Sequence, residues 1–86
     1  MTENVKVGTV IELHDPLSDE VLLRGRVIEI QLQWNHIMKE FVPIVDIQEV
    51  DQDGTPLDND PIRGIEGRTL DNRMDDGKLR IVAPAF

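Results

Sequence analysis

The run from Val21 to Trp34 constrains this chain more than any other stretch. Ile28, Ile30, Leu32 and Trp34 alternate strictly with Glu29, Gln31 and Gln33. A period of two is that of an extended strand with one face buried, because successive side chains point to opposite sides of the backbone. A slip of one residue would exchange the two sets, so the same pattern specifies register. The expectation is that Ile28, Ile30, Leu32 and Trp34 face a core while Glu29, Gln31 and Gln33 face water. Gly25 within the run predicts a bulge or a sharp bend, the device by which a small barrel turns a strand from one sheet layer to the next.

Other segments follow the same logic. Val5, Val7, Thr9, Ile11 and Leu13 alternate with Lys6, Gly8, Val10 and Glu12, which predicts a strand over 5–13. His14 to Glu20 then reads as a polar loop, with Pro16 setting φ and Asp and Ser side chains offering local hydrogen bonds. Asn35-His36 suggests a tight connection into Phe41–Val50, whose alternation slips between Ile44 and Val45 and whose Pro43 belongs at an edge or a bulge. Asp53-Gly54 is a hairpin signal. From Thr55 to Gly77 no period is sustained, so an irregular loop or arm is expected there, with one helical turn over 69–74 capped by Thr69. Leu79–Val82 is a last strand.

Together these readings predict one all-β domain over residues 1–86, a half-open barrel or roll of about five strands, SH3-like or OB-like in shape, with the long irregular segment 55–77. At 86 residues and 9.8 kDa its core is thin, and with only 3% aromatic residues it leans on Val, Ile and Leu. A partner would make good that shortage.

Charge narrows the function classes. The formal net charge is −8, and residues 1–62 carry thirteen acids against the four bases Lys6, Arg24, Arg26 and Lys39. Such a chain is repelled by phosphate backbones, and Trp34, Phe41 and Phe86 are too few for a stacking platform, so direct nucleic-acid binding is not expected. No run approaches the roughly 20 apolar residues of a membrane span, and the start of the chain lacks the basic and apolar regions of a signal peptide. Cysteine is absent, which fits a cytoplasmic protein or an assembly formed in the cytoplasm.

Motifs for catalysis or cofactor binding are weak. Glu49 to Asp60 places acids at positions one, three, five and twelve and glycine at six, in the manner of an EF-hand calcium loop. Three residues depart from that pattern: Glu49 at the first position, Asp60 at the last and Pro56 between them. The flanking strand pattern departs as well, and an acidic hairpin turn followed by a loop is expected, without sensor-like calcium affinity. His14 and His36 fall in expected loops with no third ligand at zinc-like spacing. Ser18 has no nucleophile-elbow setting, and the glycines form no phosphate-cradling run. No metal, no cofactor and no enzyme activity are expected.

The reading that remains is a non-catalytic assembly or adaptor module. An accessory subunit or a small structural component of a larger particle, a virus particle included, would fit, with protein partners that include a second copy of the chain. Candidate partner-binding residues are Trp34, Ile62, Ile65, Leu70, Met74 and Phe86. In a chain this poor in aromatics Trp34 is expected first as a core residue, with the interface anchor as the second reading. The others are aliphatic or terminal side chains with no evident place in so small a barrel. The alternative is an acidic inhibitor that imitates nucleic acid and occupies a basic protein surface. Arg63, Arg68, Arg73 and Lys78 recur at a spacing that matches neither a helix nor a strand face and are expected to be surface charge.

Overall fold

A computed structural model describes residues 5–83, and in it the long alternating run is the central element of an antiparallel sheet. The strands are β1 (Val10–His14), β2 (Val21–Asn35), β3 (Glu40–Glu49), β4 (Ile62–Glu66) and β5 (Leu79–Ala83), with one helix, α1 (Gly67–Asp75), between the last two. Their order in the sheet is β4-β3-β2-β1-β5. The protein is therefore a small five-stranded all-β fold whose sheet does not close, since β4 and β5 each pair with one neighbour.

Helix α1 connects the two edge strands and packs against β3, β4 and β5. Nine helical residues span only about 13 Å, whereas five flat strands span about 19 Å from edge to edge. The sheet has to curl for one short helix to reach both sides. Ile62 and Ile65 of β4 consequently share a cleft of about 270 Å³ with Leu79 of β5 and Ile11 of β1. The core beneath the helix consists of Val5, Ile11, Val27, Val45, Ile47, Leu70 and Leu79, flanked by Leu13, Ile30, Ile65, Met74 and Ile81.

The expected first strand is shortened. Thr9 N–H bonds to the Lys6 carbonyl at 3.0 Å and Gly8 adopts φ 98°, so residues 6–9 form a turn and β1 begins at Val10. Val5 still reaches the core from the far side of that turn. His14, expected in an exposed loop, is the last residue of β1 and is buried. His36 lies exposed in the β2–β3 turn.

The bulge in β2 lies elsewhere than expected. Pairing with β3 runs regularly through Gly25, Arg26 and Val27, skips Ile28, and resumes at Glu29. The extra residue reverses the phase of the alternation, so the inward set is Gly25 and Val27 before the bulge and Ile30, Leu32 and Trp34 after it. Ile28 is exposed, which corrects its assignment to the core. Leu32 and Trp34 share a face with Ile30 but extend past the end of the core, and they are 69% and 43% exposed.

Gly25 answers a different need, close approach. A Cβ at this position would run into Cγ2 of Ile47 on the neighbouring strand. Gly25→Ala is expected to cost about 1–3 kcal/mol, as overpacking does, read as a lower urea midpoint with unchanged slope. A neutral result would show that Ile47 can move aside.

The weakly patterned segment 55–77 holds more regular structure than its pattern predicts. Residues 51–55 close a tight turn, in which Asp51 N–H bonds to the Thr55 carbonyl at 2.9 Å and Gly54 adopts φ 84°. An irregular stretch with an isolated bridge between Val50 and Pro56 leads to β4, and α1 follows at once. The expected turn over 69–74 lies inside this longer helix, whose N-cap position is Glu66 instead of Thr69.

Candidate functional site

Two regions combine side chains in ways the core does not require. The first is a buried polar cluster on the second face of β1. Glu12 and His14 point the same way from β1, two residues apart, and Arg24 stands opposite Glu12 on β2. Glu12 Oε2 accepts from Arg24 Nε at 2.6 Å and from Arg24 Nη2 as well. Its other oxygen lies 3.1 Å from His14 Nε2, and His14 Nδ1 lies 3.3 Å from the Asp19 carbonyl. Arg80 of β5 donates to Asp19 Oδ1 at 2.6 Å.

This cluster joins β1, β2, β5 and the 15–20 loop through charge-assisted hydrogen bonds. Both ring nitrogens of His14 are engaged within the chain, and Glu12 has an internal partner at each oxygen. Shallow hollows border Arg24 on the side of residues 49–54. The arrangement holds strands together and leaves no ring nitrogen open to a substrate.

The second region is the outer half of the β2–β3 hairpin. Val27 still exchanges backbone hydrogen bonds with Gly8 and Thr9, but beyond it β2 has no ladder partner other than β3 among the described residues, so 29–35 and 40–43 form a two-stranded ribbon. Trp34 stands opposite Phe41 and Leu32 opposite Pro43, continuing the face on which Ile30 meets Val45 in the core. The Trp34 and Phe41 rings meet edge to face, with centroids 5.2 Å apart at 70°. Phe41 is 63% exposed, and Ile37 at the ribbon tip is 93% exposed.

Asn35 and Lys39 build that tip. The Asn35 side chain accepts from the Ile37 and Met38 N–H groups, both at 2.9 Å, and Lys39 takes a positive φ of 55° to close the turn. A well-formed turn thus carries Ile37 outward. Among the described residues, none covers the apolar face behind it, where Leu32, Trp34 and Phe41 stay exposed.

Comparison with known proteins finds no family model, no curated protein and no solved structure that matches this chain. The site is therefore read from its own chemistry.

The candidate partner residues are dispersed. Trp34 lies on the ribbon, and Ile62 is exposed at the start of β4. Leu70 is buried in the core, with Ile65 and Met74 packed against it. These three therefore have the place in the chain's own fold that their weak local pattern concealed. Phe86 lies outside the described residues. Sequence reasoning did not single out Leu32 or Phe41 as surface residues, because their pattern is that of any half-buried strand, nor Ile37, which falls in a stretch the pattern leaves open between hairpin and wider loop. The acidic run 49–60 is a turn and loop between β3 and β4, in which Asp51 Oδ1 accepts from the Asp53 and Thr55 N–H groups at 2.8 and 3.0 Å. Among the described residues, no group of three or more His, Asp or Glu side chains is gathered to hold an ion.

Proposed function

We propose that this protein is a non-catalytic assembly or adaptor module that contacts other protein chains through the apolar face of the β2–β3 ribbon. One observation carries the reading. Leu32, Trp34 and Phe41 form a continuous exposed extension of the core face on a ribbon that projects beyond the core. Two-stranded hairpins are marginal in water when alone, and contiguous exposed apolar patches mark interaction sites. Rigid aromatic side chains such as Trp34 are the usual anchors of such contacts.

The runner-up, an acidic mimic of nucleic acid, draws on the acids of residues 49–60, where Asp53, Asp58 and Asp60 are exposed. Other carboxylates are already engaged in the fold. Glu12, Asp19, Asp46 and Glu66 pair with Arg24, Arg80, Arg63 and Arg68. The ribbon's Leu32, Ile37 and Phe41, by contrast, are largely exposed among the described residues.

A photoreactive residue at position 34 or at Leu17, which is 97% exposed in a different loop, tests the proposal in cells expressing the protein. Position 34 is expected to yield discrete protein adducts, to the same chain or to another, and position 17 few. Equal yields would remove the ribbon as the contact. A salt-sensitive complex with a basic protein that survives Leu32→Ser/Phe41→Ser would favour the acidic mimic instead.

A further inference from the structure

We infer that the free edge of β2 pairs antiparallel with the same edge of a second copy of this chain, about a two-fold axis at Leu32. This rests on the ribbon's being the contact surface, and it commits that surface to one occupant. The argument begins with the direction of the backbone groups. The Asn35 carbonyl accepts the Lys39 N–H at 2.8 Å across the turn, so Asn35 bonds toward β3. Ladder groups alternate in direction along a strand, and the N–H and C=O of Trp34, Leu32 and Ile30 therefore point to the side away from β3. The pairing of Leu32 with Pro43 agrees, because Pro43 has no N–H to give and this pair needs no hydrogen bond. Ile30, Leu32 and Trp34 thus offer donors and acceptors to an edge that no described residue occupies.

The four edges of the sheet are not equally open. Pro43 blunts the outer side of β3, and Gly64 with φ 77° interrupts β4. On β5, Arg80 supplies a charge. The outer half of β2 has neither proline nor lysine, the residues by which proteins protect an edge from pairing. It is the edge left undefended.

Self-pairing fits the local sequence. Centred on Leu32, the stretch Glu29-Ile30-Gln31-Leu32-Gln33-Trp34-Asn35 sets Ile30 beside the partner's Trp34, Gln31 beside the partner's Gln33 and Glu29 beside the partner's Asn35. Apolar residues meet on one face and polar residues on the other, with no like charges opposed. Charge favours this place over the rest of the molecule. Two chains of net charge −8 repel, but residues 28–38 carry only Glu29. The antiparallel arrangement also lays each ribbon's outer end against the inner end of the other. The exposed Trp34 then continues the partner's core face at the partner's Ile30.

Light scattering on the purified chain, with variants of Leu32, tests the pairing. The wild type is expected at about twice its 9.8 kDa mass. Leu32→Pro removes an N–H that the hairpin itself does not use, so the mass is expected to halve while the circular dichroism persists. Leu32→Lys is expected to do the same by edge protection, which keeps the test decisive if the proline variant misfolds. The chain has no native cysteine, so in a redox buffer Leu32→Cys is expected to cross-link to its own copy, as Cα atoms directly opposed in a bonded pair lie about 5.5 Å apart. Gln33→Cys is expected to cross-link only when mixed with Gln31→Cys.

A wild type that stays monomeric at several hundred micromolar overturns the inference, and so does a dimer that survives both Leu32→Pro and Leu32→Lys. If adducts at position 34 then prove to be another protein, the ribbon reading stands and only the self-pairing fails. If position 34 yields no preferential adduct, both fail.

Discussion

Replacing Glu12 by alanine is expected to destabilise the fold by about 3–5 kcal/mol, because it strips the counter-charge from an arginine held largely out of water. The Arg24 side chain is 23% exposed and that of Glu12 only 9%. Glu12 accepts two hydrogen bonds from Arg24 and adjoins His14, so its loss leaves donors on both residues unmatched. Small domains have only about 5–15 kcal/mol in hand, and this change alone could consume most of it. Arg24→Ala is expected to be nearly as costly, since it leaves the Glu12 carboxylate buried. The double change Glu12→Leu/Arg24→Leu is expected to recover a large part of the loss, because an apolar pair has no charge to desolvate. Urea unfolding followed by circular dichroism gives all three values. Additive costs in the double variant would mean that the two side chains act independently, contrary to the geometry.

The second large effect is expected at Ile47. This side chain is 2% exposed, lies in the core and fills the space beside Gly25 that a Cβ there would need. Ile47→Ala is expected to cost about 2–5 kcal/mol through lost burial and the cavity left behind. Leu32→Ala removes a side chain of the same size from the same face of the hairpin, and its cost to folding is expected to stay below about 0.5 kcal/mol. The comparison has to be made at a concentration where any dimer is dissociated, since association adds to apparent stability. Similar costs at the two positions would place Leu32 in the core and contradict its exposure.

That contrast marks where local pattern stops being informative. Alternation over Ile28–Trp34 announced a long strand, and a long strand is present. The same alternation put all four apolar residues in the core, and it was silent about the bulge at Ile28 and about how far the core extends. Leu32 and Trp34 keep the inward direction their period demands, yet α1 and β1 do not reach them. Gly25 was recognised as a special position, but its reason, the approach of Ile47, comes from a strand twenty residues away in the chain.

The candidate site shows the same division. Trp34 stood out by its size, whereas Leu32 and Phe41 became visible only when the hairpin was seen to outrun its support. His14 sat beside Asp15 and Pro16 in a stretch rich in turn residues, and only its pairing with Val21 across the sheet shows it to be a strand residue facing Glu12. Leu70 and Met74 read as one face of a single helical turn, but the pattern showed neither the longer helix nor that this face belongs to the core. A nine-residue helix supplies too few turns to show either, and its stability comes from packing against β3, β4 and β5 more than from propensity.

By itself the sequence determined the elements whose signals are local: the all-β class, the long second strand, the Asp-Gly turn and the last strand at Leu79. It also determined the acidic charge that disfavours phosphate partners. Side-chain direction and turn geometry depend on a few neighbouring residues, so they can be read along the chain. Tertiary structure alone decided which inward-facing residues are covered, which strand edges no other described residue pairs with and which charges become buried companions. Burial is a property of what lies across from a residue in space: α1 packs against β3, and β5 pairs with β1, in each case across a long stretch of intervening chain.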